Sequence, residues 1–115
     1  MDFTFSEDQM SLKETIRHFA QKEIQPLIKE SDEKGRWPDV LTKKLAELGL
    51  LGIIIPPEYS GCGYTNIDYV IILEEISKVD PSVGLVVAAH NSLCSNHLNL
   101  FGTPAQKEKY LTRLA

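Results

Sequence analysis

No stretch of this sequence approaches the roughly 18 consecutive apolar residues that a membrane-crossing helix needs, so no membrane span is predicted. Positive charge is in short supply. Twelve basic residues face 16 acidic ones for a net charge of −4, and no basic block is present that could follow a phosphate backbone, which argues against nucleic acid as a partner. Cysteine is nearly absent. Cys62 falls in a predicted loop and Cys94 inside a predicted helix, which is no disulfide framework, and both are expected to be free thiols. The N-terminus, Met-Asp-Phe-Thr-Phe-Ser-Glu-Asp, lacks the basic segment and apolar stretch of a secretory leader, so a cytoplasmic protein is expected. There is no repeat or low-complexity tract, and 43% hydrophobic with 24% charged residues is ordinary globular usage that speaks against disorder. At 115 residues the chain is expected to form one domain spanning 1–115.

What is present is helical periodicity, punctuated by caps and breakers. Ser6 and Gln9 form a capping box, and Met10, Ile16, Phe19, Ala20 and Ile24 approximate one apolar face from about residue 7. Pro26 should kink that helix or begin a second segment running to about Lys34, with Gly35 ending it. Trp37-Pro38 opens a short helix whose Val40, Leu41, Leu45 and Leu48 are spaced for a core face, stopped by Gly49. Leu50 to Ile55 reads equally as a buried strand or a buried extended loop, although Pro56-Pro57 argues against a central strand. After turn-like composition to Asn66, with Thr65 or Asn66 as the cap, Ile67, Val70, Ile71, Leu73, Glu74 and Ile76 describe a helix apolar over most of its circumference, suited to the middle of a bundle and ended by Asp80-Pro81. A helix over Ser82–Phe101 follows. Gly102 can take the left-handed conformation beyond it, and Thr103, Pro104 and Gln106 supply the cap, first position and capping box of a last helix running to Leu114. The expected fold is all-α, an orthogonal or up-down bundle of about five to six helices.

Few constellations could carry chemistry. His90, Cys94 and His97, at i, i+4 and i+7, could share a helical face, but one straight helix rarely wraps three ligands round an ion and no fourth ligand is in register. Gly61-Cys62-Gly63 resembles a dinucleotide loop only superficially: the third glycine is missing, and two prolines separate the loop from any strand. Glu74 and Glu75 point about 100° apart on a helix and cannot face each other; Glu74 can pair with Lys78, and a helix-end or interdomain contact is the plain reading of Glu75. No Ser-His-Asp or Cys-His set can be built by spacing alone. The smooth run Val83-Gly84-Leu85-Val86-Val87-Ala88-Ala89 allows close helix packing, its first reading, or room for something slender and apolar.

Five segments taken together resemble one flavoenzyme family along the whole chain. They are Phe-Ala-Gln-Lys-Glu-Ile-Gln-Pro at Phe19–Pro26, Leu-Ala-Glu-Leu-Gly-Leu-Leu-Gly at Leu45–Gly52, Pro-Glu-Tyr-Ser-Gly-Cys-Gly at Pro57–Gly63, Leu-Glu-Glu-Ile-Ser at Leu73–Ser77, and the stretch from Asp80 to Ala115 with its Ser-Leu-Cys and Phe-Gly-Thr-Pro-Ala-Gln-Lys-Glu-Lys-Tyr-Leu. The sequence is similar to the N-terminal domain of acyl-CoA dehydrogenases, and Asn91-Ser92-Leu93-Cys94 is closest in wording to short-chain, butyryl-type members. One departure is Ser60, where the family usually has the first of two glycines, which bears on the loop's conformation alone.

The resemblance implies an enzyme built from a helical domain, a small β domain and a second helical domain, of which only the first is present here. It implies FAD as cofactor, held chiefly by the other two domains and not expected to bind this one alone. It also implies an acyl-CoA substrate, electron-transfer flavoprotein as partner, and a homo-oligomeric complete enzyme. The family's glutamate base lies in the C-terminal domain, so no catalytic residue and no flavin-binding or metal residue is expected in this chain, which alone should be inactive. Alignment on Asn91-Ser92-Leu93 places Leu85, Val86 and Ala89 at positions lining the acyl pocket, and raises pocket lining above core packing for these three. The same domain in an acyl-CoA oxidase or flavin monooxygenase, and a free-standing helical interaction module, are the competing readings.

Overall fold

A computed structural model describes residues 1–115 and contains helices and turns with no strand. The first rod comprises α1 (Glu7–Phe19), a π turn over Ala20–Ile24 and α2 (Gln25–Lys34). Ser6 and Gln9 close the expected capping box at its start. As expected, a second segment begins at Pro26's own turn and runs to Lys34, although the rod continues without interruption. The widened turn just before Pro26, where the Gln25 N–H donates to Ala20 O five residues back, absorbs the missing donor and the crowding of the proline ring. Gly35, at φ +57°, ends the rod in the left-handed conformation.

A short α3 (Asp39–Glu47) buries Leu41 and Leu45 but leaves Val40 and Leu48 exposed, so only half of its expected core face is used. Residues 48–65 form neither strand nor free loop. Cys62, Gly63 and Tyr64 donate their backbone N–H groups to Gly52, Ile55 and Ile53, an order that no β ladder follows. Ser60 adopts φ +67°, so the serine accepts the left-handed geometry that a glycine would take without strain.

Thr65 caps α4 (Asn66–Val79) through a capping box with Asp68. This helix packs against α1 on one side and α5 (Pro81–Ala88) on the other, as its apolar composition predicts, burying Tyr69, Ile71, Ile72, Glu75 and Ile76. Its Ile67 and Val70 face outward instead. Asp80 ends α4 and caps α5 at once, its carboxylate accepting from Ser82 N with Pro81 in the first helical position.

The α5 rod passes through a π turn over Ala89–Ser95 into α6 (Asn96–Phe101). Gly102 departs from expectation: at φ −71° and ψ 150° it is extended. Glycine is needed there for closeness, since a Cβ would lie 2.5 Å from Leu98 O. Thr103 then caps the last rod, α7 (Pro104–Gln106), a π turn over Lys107–Leu111 and α8 (Thr112–Leu114), with the expected capping box to Gln106. Five rods thus form a slab of 42 × 41 × 20 Å. Its core joins Ile16, Ala20 and Ile24 to Leu41, Leu45, Ile53, Ile72, Ile76, Val83 and Val87.

Candidate functional site

The small-residue run on α5 divides into two faces. Val83, Gly84 and Val87 are buried, and Gly84 brings α5 so near α4 that a Cβ on it would sit 2.0 Å from Ser77 Oγ. Close packing is therefore the correct account of that half. Leu85 (71% exposed), Val86 (41% exposed) and half-buried Ala89 lie on the other half, clear of the domain's own core. Val86 also borders a groove whose remaining walls are Trp37, Thr42, Leu45, Leu51 and His90.

What fixes this face is a pair of polar side chains for which the sequence reading had no role. Asn91, fully buried, donates through Nδ2 to Leu50 O and Val87 O, each at 2.9 Å, and its Oδ1 accepts from Ile53 N at 2.8 Å. Two of these three bonds tie the 50–53 segment to the helical rod, and the third closes back on the rod itself. Tyr69 of α4 donates to Ala88 O at 3.1 Å and lies 2.6 Å from Ser92 Oγ. Val87 and Ala88 stand at the mouth of the π turn, where backbone bonding changes step and carbonyls become available to side chains. His90 Nε2 rests 2.8 Å from Leu114 O, so the last rod is fastened to the same turn. Nothing local distinguished Asn91, which stands between His90 and Ser92 in a polar stretch of the helix, and nothing local distinguished Tyr69.

The other constellations are not assembled into sites. His90, Cys94 and His97 do not converge: His90 is engaged with Leu114, Cys94 is exposed, and the His97 ring stacks obliquely on Phe101 with centroids 5.1 Å apart. At the Gly61–Gly63 loop the backbone N–H groups that a phosphate would need are spent within the chain, Gly61, Cys62 and Gly63 donating to Pro56 O, Gly52 O and Ile55 O. A Cβ on Gly61 would meet Ile55 O at 2.0 Å, and one on Gly63 would meet Pro57 Cδ at 3.0 Å. Burial pushes the Cys62 thiol up, away from thiolate character, and its Sγ contacts only Gly49 O among possible partners. Glu74 pairs with Lys78 at 3.2 Å, as its spacing predicts. Glu75 is neither at a helix end nor exposed. It is buried between α4 and α1, where Arg17 and Lys78 donate to it and Lys13 stands 3.8 Å away.

Comparison with known proteins follows the same lines. The family profile described as "Acyl-CoA dehydrogenase, N-terminal domain" matches residues 6–115. The short-chain-specific acyl-CoA dehydrogenase of Clostridium acetobutylicum is 40% identical over 115 residues, which is all of this chain and 30% of that protein. A chain in the structure of the electron transferring flavoprotein of Acidaminococcus fermentans, solved towards a mechanism of flavin-based electron bifurcation, superposes with a TM-score of 0.94 at 40% identity, over all of this chain and 30% of that one. Butyryl-CoA dehydrogenase from Megasphaera elsdenii gives a TM-score of 0.90 at 34% identity, over 99% of this chain and 30% of that one. The chain thus spans about a third of the length of the proteins it matches.

Proposed function

The chain belongs to the acyl-CoA dehydrogenase family, as its N-terminal domain, and on that premise we propose that it supplies one wall of the acyl pocket in a FAD-dependent enzyme that desaturates short acyl-CoA thioesters. The observation that carries this reading is the outward face of α5, where Leu85, Val86 and Ala89 present apolar surface that the domain's own core does not use. An alkyl chain asks for such a surface and for no hydrogen bond.

In that enzyme FAD supplies the hydride acceptor, and the base that removes the α-proton comes from outside this chain. No residue here is assigned to the flavin, because the backbone N–H groups of the one glycine-rich loop are spent on Pro56, Gly52 and Ile55. The contribution of residues 1–115 is positional: Asn91 and Tyr69 hold α5 at a fixed height against the 50–53 segment and α4, and so set where the wall stands. The middle β and C-terminal α domains, a homo-oligomeric state and electron-transfer flavoprotein as electron acceptor complete the proposal. The match to a chain from an electron-transferring flavoprotein structure supports the last of these. A cytoplasmic setting is supported by two cysteines that remain unpaired.

The test joins residues 1–115 to the flavin-binding remainder of the Clostridium relative and compares Ala89→Leu with the parent chimera. An apolar group that cannot fit is typically worth about 1–3 kcal/mol, or about 10- to 200-fold in kcat/KM. Longer acyl-CoA substrates should lose activity by that order while the shortest lose little and flavin content is unchanged. An equal loss at every chain length, with a lower melting temperature, would assign Ala89 to packing and remove it from the pocket.

A further inference from the structure

The exposed lining of the groove beside Val86 is almost wholly apolar. Trp37 Nε1 donates to Thr42 Oγ1 at 2.8 Å, and His90 Nε2 is engaged with Leu114 O at 2.8 Å. The other walls are Leu45, Leu51 and Val86. No Asp, Glu, Lys or Arg lines it, and its three polar side chains, Trp37, Thr42 and His90, each already share a hydrogen bond within the protein, so a polar or charged occupant would surrender its hydration with little return. An alkyl chain surrenders nothing polar and gains burial.

Resting on the pocket-wall reading above, we propose that this groove is a continuation of that wall which receives the distal carbons of the acyl chain, with Trp37 and Leu51 as specificity-determining residues. Val86 belongs to both surfaces and joins them, since its side chain stands on the outward face of α5 and also borders the groove. The 50–53 segment reaches its position through Asn91, so Leu51 is held against α5 by buried hydrogen bonds. Acyl length is then read at two places: the small side chain of Ala89 leaves clearance that admits the chain, and the Trp37–Leu51 end of the groove determines how many further carbons find apolar contact.

Trp37 is the only tryptophan in the sequence, and because it also borders two hollows beside Arg36, its fluorescence is read together with variants at Leu51 and Val86, which line this groove and neither of those. The 115-residue chain is titrated with straight-chain fatty-acid anions of increasing length, each kept below its micellar concentration. A saturable blue shift is expected. The half-saturating concentration should fall by up to about fourfold for each methylene that is fully buried, and level off once the tail outruns the groove. Leu51→Gln should abolish the length dependence. Val86→Gln, on an exposed position, tests the same wall should the Leu51 variant fail to fold by circular dichroism. Trp37 emission that does not respond at any length, or a response indifferent to length and to both substitutions, overturns the proposal. A silent Trp37 together with length-selective loss in the Ala89→Leu chimera removes the groove and leaves the wall. A responsive Trp37 with uniform loss in that chimera keeps an alkyl groove and removes Ala89 from the wall.

Discussion

At Glu75 a carboxylate only 1% exposed is held by Arg17 Nε at 3.0 Å and Lys78 Nζ at 2.9 Å. Burial works against its ionisation, but the hydrogen bonds and charges of Arg17 and Lys78 prevail and hold the carboxyl below its ordinary range. The sign of the pH effect follows. A carboxyl whose folded pKa lies below its unfolded value of about 4.3 contributes its full stability above that pH and loses it as the pH falls through the folded pKa. Glu75→Gln should therefore cost about 1–3 kcal/mol in urea unfolding at neutral pH and weaken the decline on acidification below about pH 4.3. An acid limb as steep as that of the parent would place the pH dependence on other carboxylates. Ser6, Thr65 and Thr103 were legible as caps because each bonds three residues away. The partners that give Glu75 and Asn91 their roles, Arg17 and Ile53, lie 58 and 38 residues away, beyond the reach of any local pattern, and so those roles were not.

Among the elements, the α4–α5 pair depends on the absence of one side chain. Ala in place of Gly84 would gain about 1 kcal/mol of helix propensity, yet its Cβ would lie 2.0 Å from Ser77 Oγ and 3.1 Å from Ser77 Cβ. Turning the hydroxyl aside relieves only the first contact, so overpacking costing about 1–3 kcal/mol should prevail. Gly84→Ala is expected to lower the melting temperature, and Ser77→Ala in the same chain to recover part of the loss; a stabilised Gly84→Ala would mean that the two helices separate freely. Helix existence was readable throughout, because periodicity and caps act within a few turns. Which face turns inward was less so. Val40, Leu48, Ile67 and Val70 have apolar side chains at helical spacing but are exposed, since burial is decided by the neighbours that tertiary packing supplies. The π turns were invisible for the same reason: bonding five residues back rather than four leaves no compositional trace.

As a whole the molecule is a slab 20 Å thick, no more than about two helix diameters. Its broad surfaces keep apolar side chains outside, with Leu85, Leu93, Leu100 and Phe101 all exposed along the α5–α6 rod. An apolar surface of this kind favours association. The isolated 115-residue chain should bind a hydrophobic dye and scatter light as more than a monomer, and a monomer that takes up no dye would contradict the reading of these side chains as interface. The family itself was legible from wording spread over the full length. The face proposed for the pocket was singled out only through alignment, as Leu85, Val86 and Ala89 differ in no chemical respect from the buried Val83 and Val87. The π turn at Ala89–Ser95 carries one more residue than the α-helical turn it replaces, and each residue of an α-helix advances the chain by about 100°. Deleting a single residue there would heal the helix yet swing everything after it around the rod axis by about that angle, carrying Leu100 and Phe101 to a different side and parting Leu114 from His90. The length of this segment, more than the identity of its exposed side chains, is therefore the quantity that insertions and deletions cannot change without reorienting the last rod.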